Sequence, residues 1–279
     1  MALFSNRTAL GKFAIAALAV AMLPFALAKT PLTAPLPNLV ELKDMTWVEA
    51  RAAIQAGYTT VIVPTGGIEQ NGPHMILGKH DYIVGQAAKR IAKNVGHTLV
   101  APVVSYVPQG DYDPPTGHLR FPGTLGLSEP AFAGLLEGIA RSLKAGGFKT
   151  VLFMGDHGAS QTVQAAVAAR LTKDWATAGV RVVQIDSYYD DKAQIKRLVA
   201  EGLSLETIGI HAGPIDTSEL MSVKPAGVDL SRYRKVSMLQ EPTGVNGDPS
   251  SATPERGASL LDMRISAAVA QIKALSATQ

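Results

Sequence analysis

Short β-branched runs separated by longer amphipathic stretches constrain this chain more than any other feature. "TTVIVPT" (59–65), "TLVAPVVSYV" (98–107), "KTVLFMG" (149–155) and "VRVVQID" (180–186) are near-continuous apolar runs, as expected of strands buried on both faces. Between them lie helical periods: "MTWVEARAAIQAG" (45–57), "DYIVGQAAKRIAKNVG" (81–96), "SEPAFAGLLEGIARSLKAGG" (128–147) and "SQTVQAAVAARLTKDWATAG" (160–179). A last helix is predicted over 255–275. Thr46 is placed to cap the first helix and Gly57 to end it. Strands alternating with helices of this length predict parallel βαβ units, hence an α/β fold with helices on both faces of the sheet. No internal repeat is visible. The polar, Gly- and Pro-bearing segment 223–257 is long for a connection, and long connections are usually functional or disordered.

The first 28 residues belong to a different class. Arg7 and Lys12 precede the apolar stretch "FAIAALAVAMLPFALA", which ends in the small-x-small pattern of Ala26 and Ala28. A signal peptide cut near Ala28/Lys29 is predicted, with export to a periplasm or beyond and no membrane attachment afterwards. Residues 29–40 read as a proline-bearing lead-in and 41–279 as a single domain. The leader carries two cations and no anion, so 26 basic against 23 acidic residues becomes 24 against 23. Near-neutral charge without a basic run argues against a nucleic-acid partner. With no cysteine, disulfides and thiolate metal sites are excluded, so a metal would have to sit on His, Asp or Glu.

Ligands of open parallel sheets bind at the carboxyl ends of the strands. Three predicted strand ends deliver Glu69, His74, His80 and Asp81, then His118, then Asp156 and His157 toward one rim. Two of the chain's six histidines fall within "EQNGPHMILGKHD" alone.

Five segments, in order, resemble the creatininase (creatinine amidohydrolase) family. "GGIEQNGPHMILGKHD" is similar to GSxEQHGPHLPLGTD, "GHLRFPGT" to HxxFPGT, and "MGDHGAS" to the segment around NGHGGN. "HAGPIDTS" is similar to HAGxxETS and "GVNGDPSSATPERG" to the closing GxxGDPxxAxxExG. Together they span about residues 40–275. The resemblance implies a three-layer α/β sandwich, often hexameric, that uses metal to hydrolyse small non-peptide, often cyclic, amides. The family's dinuclear site takes the Glu and first His of EQHGPH, the Asp of LGTD and the His of NGHGGN. Here Glu69 and His157 match, but Asn71 stands at the first histidine and His80 at the bridging aspartate. Ala159 occupies a place where some members carry a glutamate. A neutral imidazole nitrogen cannot bridge two metals as a carboxylate does. The expectation is therefore one divalent ion, zinc before manganese, on Glu69, His80 and His157. Asp81, Asn71 and His74 are reserve ligands, and Asp81 in a shifted register would restore a dinuclear reading. His211 aligns with a family histidine associated with proton transfer. Asp156 is a second candidate for that role, or a partner for a ligating imidazole. His118 and Asp216 are candidate substrate contacts.

Plainer roles compete. His74 after Gly-Pro suits a loop anchor, His118 a brace for its own loop, and His97 the surface. Asp216 with Glu219 suits a helix-capping pair, Asp111 and Asp113 suit turns, and Met75, Met154 and Met221 suit packing. A hydrolase acting on a lactone or ester would need the same site. A non-catalytic exported binding protein is the alternative of a different class, favoured by Asn71 and His80. Serine hydrolysis through Ser160 lacks the G-x-S-x-G elbow.

Overall fold

The sheet is built from four strands: β1 (Thr60–Thr65), β2 (Thr98–Val100), β3 (Thr150–Gly155) and β4 (Arg181–Gln184). The computed structural model describes residues 40–233 and 243–277; the predicted leader, nearly all of the lead-in and part of the 223–257 segment lie outside them. All strand pairings are parallel, in the order β2-β1-β3-β4, with Thr60 opposite both Thr98 and Thr150, and Thr150 opposite Arg181. The order reverses direction between β1 and β3, which makes their carboxyl ends the topological switch point of the sheet.

Alternation along the strands sorts the core into two layers. Val61, Val63, Val151 and Phe153 pack with residues of α1 (Trp47–Gln55), α3 (Glu129–Ala145) and α4 (Gln161–Asp174). Ile62, Leu152 and Met154 face the other way, onto α2 (Lys79–Val95), α7 (Pro214–Val223) and α8 (Pro254–Ala277). This is the expected three-layer α/β sandwich. Smaller helices α5 (Lys192–Ala200) and α6 (Leu205–Ile208) close one side of α8 through Leu198, Ile208 and Leu260. No helix among the described residues is long and apolar enough to cross a membrane.

Local chemistry explains most boundaries. Thr46 accepts from Glu49 N, and the Glu49 carboxylate reaches back to Thr46 N at 2.7 Å, a complete capping box for α1. Gly57 follows at φ 95°, a conformation that favours glycine. The second predicted strand is shorter than expected. Pairing stops at Val100 and resumes only as single bridges at Val104 and Val107, because Pro102 interrupts the ladder. Helices α5 to α7 were not predicted as elements: α6 is a single turn and α7 has no amphipathic face, whereas α5 is amphipathic and was passed over.

Arg264 ties the second layer to the sheet edge. Buried on α8, it donates to Glu219 at 2.8 Å, to Asp156 and to the Tyr188 carbonyl at 2.9 Å, and stacks 4.1 Å from the Tyr188 ring. Removing one partner of a buried ion pair costs about 3–5 kcal/mol, since the other charges remain buried. Arg264→Met is therefore expected to lose about that much in chemical denaturation. A loss below about 1 kcal/mol would show that the network does not hold the layers together.

Candidate metal centre

Five chain segments converge at the switch point. Glu69 lies four residues past β1. His80 is the second residue of α2, and Asp156 and His157 follow β3. His118 comes from the short 3-10 turn Gly117–Arg120, and His211 from the turn between α6 and α7. Glu69 is the focus, with no exposed surface. Its Oε1 is 2.7 Å from His80 Nε2, 3.7 Å from His211 Nδ1 and 3.7 Å from Lys79 Nζ. Its Oε2 is 2.7 Å from His157 Nε2 and 3.5 Å from His118 Nε2. Burial opposes ionisation of Glu69, but His80 and His157 outweigh it and hold the carboxyl well below the usual range.

Two ligand triads share this carboxylate: Glu69, His80 and His157, and Glu69, His118 and His211, each with donor atoms within 4.8 Å of one another. Hydrogen bonding separates them. His80 Nδ1 lies 2.7 Å from Asp156 Oδ2, which places a proton on Nδ1 and turns Nε2 toward Glu69. Glu69 Oε2 has no hydrogen bond, although His157 Nε2 is 2.7 Å away, and His157 Nδ1 is likewise without one. In the metal-free protein His80 Nε2 shares a hydrogen bond with Glu69 Oε1 at 2.7 Å; with that proton displaced, the two imidazoles and one carboxylate form a donor set that suits a catalytic divalent ion.

The second triad is wired for protons. Gly72 N donates to Gln70 Oε1 at 3.0 Å, which turns Gln70 Nε2 toward Gly244 O and toward His118 Nδ1, both at 3.0 Å. His118 therefore accepts at Nδ1 and carries its proton on Nε2. His211 Nε2 lies 2.9 Å from the Gln70 backbone carbonyl and 3.1 Å from Gln70 Nε2; with both Gln70 amide hydrogens taken by Gly244 and His118, Nε2 donates to the carbonyl and Nδ1 is left as a bare acceptor. Burial and the Lys79 charge press His211 down to about 4, and burial lowers His118 as well. Ala212 holds the His211 turn at φ 55°, its N–H donating to Asp216 at 2.7 Å.

The remaining candidates have other tasks. Asp81 accepts from Gly67 N at 3.0 Å and from Ser105 Oγ at 2.5 Å, which corrects its reading as a reserve ligand. Asn71 donates to the carbonyls of Glu69 at 2.9 Å and Ile76 at 3.2 Å, and so staples the loop that carries Glu69. His74, buried, bonds Thr217 at 3.0 Å as a loop anchor, and burial takes it to about 4. Both oxygens of Asp156 are engaged, by His80 on one side and by Tyr188 and Arg264 on the other, so it orients His80 and has no oxygen free for shuttling protons. Asp216 and Glu219 are not a capping pair: Asp216 joins Lys79 at 3.0 Å, and Glu219 joins Arg264 and Gln194. His97 is exposed against Tyr58, and Met75 and Met154 are core residues. Sequence reasoning passed over Gln70, Lys79, Tyr188 and Arg264. The first two lie inside the motif, and only their depth in the fold marks them.

A cavity of about 470 Å³ opens above Glu69, bounded by His118, His157 and His211 and walled on one side by Tyr189, Ile208, Ile210 and Ile215.

The family profile described as creatininase, creatinine amidohydrolase, matches residues 43–272. A creatinine amidohydrolase of Pseudomonas putida is 29% identical over 194 residues, 68% of this chain and 74% of that protein. A mycofactocin precursor peptide peptidase of Mycolicibacterium smegmatis is 27% identical, covering 76% of this chain and 84% of its own length. A 3-dehydro-scyllo-inosose hydrolase of Thermotoga maritima is 24% identical over 68% of this chain and 58% of that protein. Among solved structures, a manganese creatininase superposes with a TM-score of 0.69 at 24% identity, over 84% of this chain and 98% of the other, which establishes the shared fold. The chain belongs to the creatininase family.

Proposed function

We propose that the chain is an exported amidohydrolase that holds one divalent cation between Glu69, His80 and His157 and cleaves a C–N amide bond of a small non-peptide molecule. The convergence of those three residues on one point at the sheet's switch point carries this reading. The cation, zinc before manganese, supplies Lewis acidity and a water acidic enough to yield hydroxide near neutral pH. The number of ions follows from charge. Four carboxylates of the connected network, Glu69, Asp156, Asp216 and Glu219, face two cations, Lys79 and Arg264. One divalent ion neutralises that excess, whereas two would leave uncompensated positive charge in a buried site.

The second triad handles the protons. His211 Nδ1, a bare acceptor, takes a proton and returns it to the leaving nitrogen. His118 Nε2–H donates to the substrate oxygen as charge develops there. Gln70 holds both rings in these tautomers. The apolar wall of Ile208, Ile210 and Ile215 suits a substrate with a nonpolar flank, and an amide small enough to enter a 470 Å³ cavity.

His157→Ala is expected to lose stoichiometric metal and all hydrolysis of a panel of lactams and small amides, whereas His97→Ala keeps both. Full turnover by the His157 variant would remove the metal from the mechanism. Asp156→Asn, which leaves His80 in place but unoriented, should weaken metal binding about 10–100-fold in a chelator competition. Gln70→Leu should retain the metal and lose about 100-fold in kcat, the scale of general acid–base catalysis.

Loading also displaces a proton. Burial and Lys79 oppose a charge on His80, but Glu69 and Asp156 outweigh them and raise it to about 9. Calorimetry in buffers of different ionisation enthalpy should register release of about one proton at pH 7, with affinity rising about tenfold per pH unit up to about 9. In the metal-free protein the same raised value stabilises the fold fully below about pH 6.5, and this contribution is lost as pH climbs through 9. Metal affinity independent of pH between 6.5 and 9 would contradict the assignment of His80.

A further inference from the structure

Lys79 stands in an unusual place for a lysine. It is the first residue of the 17-residue helix α2, where the helix dipole disfavours a cation. Its side chain is 1% exposed, and a buried ammonium is costly unless compensated. It lies 3.0 Å from Asp216 and 3.7 Å from Glu69 Oε1, yet none of its three N–H groups is in hydrogen-bonding geometry with a described residue. It also reaches the floor of the cavity above Glu69.

We propose that the Lys79 ammonium occupies the second cationic position on Glu69 and thereby limits the centre to one divalent ion. The inference rests on the metal-centre reading above. Space and charge both support it. Zinc–carboxylate bonds are about 2.0–2.2 Å long. An ion bound to Glu69 Oε1 on the Lys79 side would therefore overlap a nitrogen that is itself 3.7 Å from that oxygen. On the opposite side, the tautomer imposed on His118 by Gln70 directs an N–H, not a lone pair, at Glu69. Lys79 thus closes one of the two remaining approaches to Glu69 Oε1, the other being toward His211 Nδ1 at 3.7 Å, and its charge opposes a second cation at either. Asp216, half-buried in the first turn of α7, holds the ammonium there.

Metal counting tests this without reference to turnover. Metal-stripped protein is titrated calorimetrically with Zn²⁺ and with Mn²⁺, and bound metal is counted by mass spectrometry after dialysis. The wild type should take one equivalent and Lys79→Arg one. Lys79→Met should take two, the second weaker than the first. Lys79→Gln, which keeps a polar end in the same space, should also take two and serves if the methionine variant does not fold. Manganese-loaded wild type should give the resonance of an isolated ion, with no spin coupling. Two equivalents or a coupled pair in the wild type would overturn the role of Lys79, as would one equivalent of unchanged affinity in both neutral variants. None of those results touches the assignment of Glu69, His80 and His157. No stoichiometric metal in the wild type would remove that assignment and this inference together.

Discussion

A single carboxylate with no access to water organises the active end of this molecule. Glu69 cannot be buried as an anion unless positive charge or donors surround it. The fold answers with four imidazoles and an ammonium, all within 3.7 Å of its two oxygens. They come from four separate segments, Lys79 and His80 sharing the start of α2, so satisfying Glu69 is equivalent to assembling the site. The hydrogen bonds of Asn71 to neighbouring carbonyls and of Gly67 to Asp81 fix the loop on which this residue rides. The interior around it is consequently polar and fully coupled, the kind of network in which loss of one member leaves others exposed to a low dielectric.

Division of labour among the histidines follows from what lies behind each ring. A carboxylate behind His80 makes it electron-rich and leaves Nε2 for a cation. A glutamine amide behind His118 and a backbone carbonyl behind His211 both place the proton on Nε2, but His118 turns that Nε2–H toward Glu69 whereas His211 turns its bare Nδ1 there, giving one donor and one acceptor. Rings of the same chemistry thereby acquire different protonation geometries through the groups behind them. Arg264 and Tyr188 extend this arrangement one step further, because they hold the Asp156 carboxylate that orients His80.

The sheet, its parallel sense and the residues at its carboxyl ends were legible in the sequence, since β-branched runs and helical periods report directly on burial. Glu69, His80, His118, His157 and His211 were legible as well, partly through their position after strands and partly through resemblance to known motifs. What could not be read was orientation. Asp81, adjacent to His80, looked interchangeable with it, but one residue along a helix is a turn of about 100°, which sends its carboxylate to Gly67 and Ser105. Asp216 and Glu219 had the spacing of a capping pair, yet both are claimed by buried cations from distant segments, Lys79 and Arg264. Lysine and arginine read as surface residues in one dimension, and only tertiary contacts show them buried. The short β2 shows the same limit, since a proline inside an apolar run ended a ladder that hydrophobicity alone would have continued.

Anomalous diffraction from crystals of the zinc-loaded protein, collected on either side of the zinc absorption edge, addresses the central claim most directly. The account predicts one peak, bounded by Glu69, His80 Nε2 and His157 Nε2, with Lys79 Nζ in its present place. A peak between His118 and His211, a second peak beside Glu69, or no peak at full zinc occupancy of the solution would contradict it.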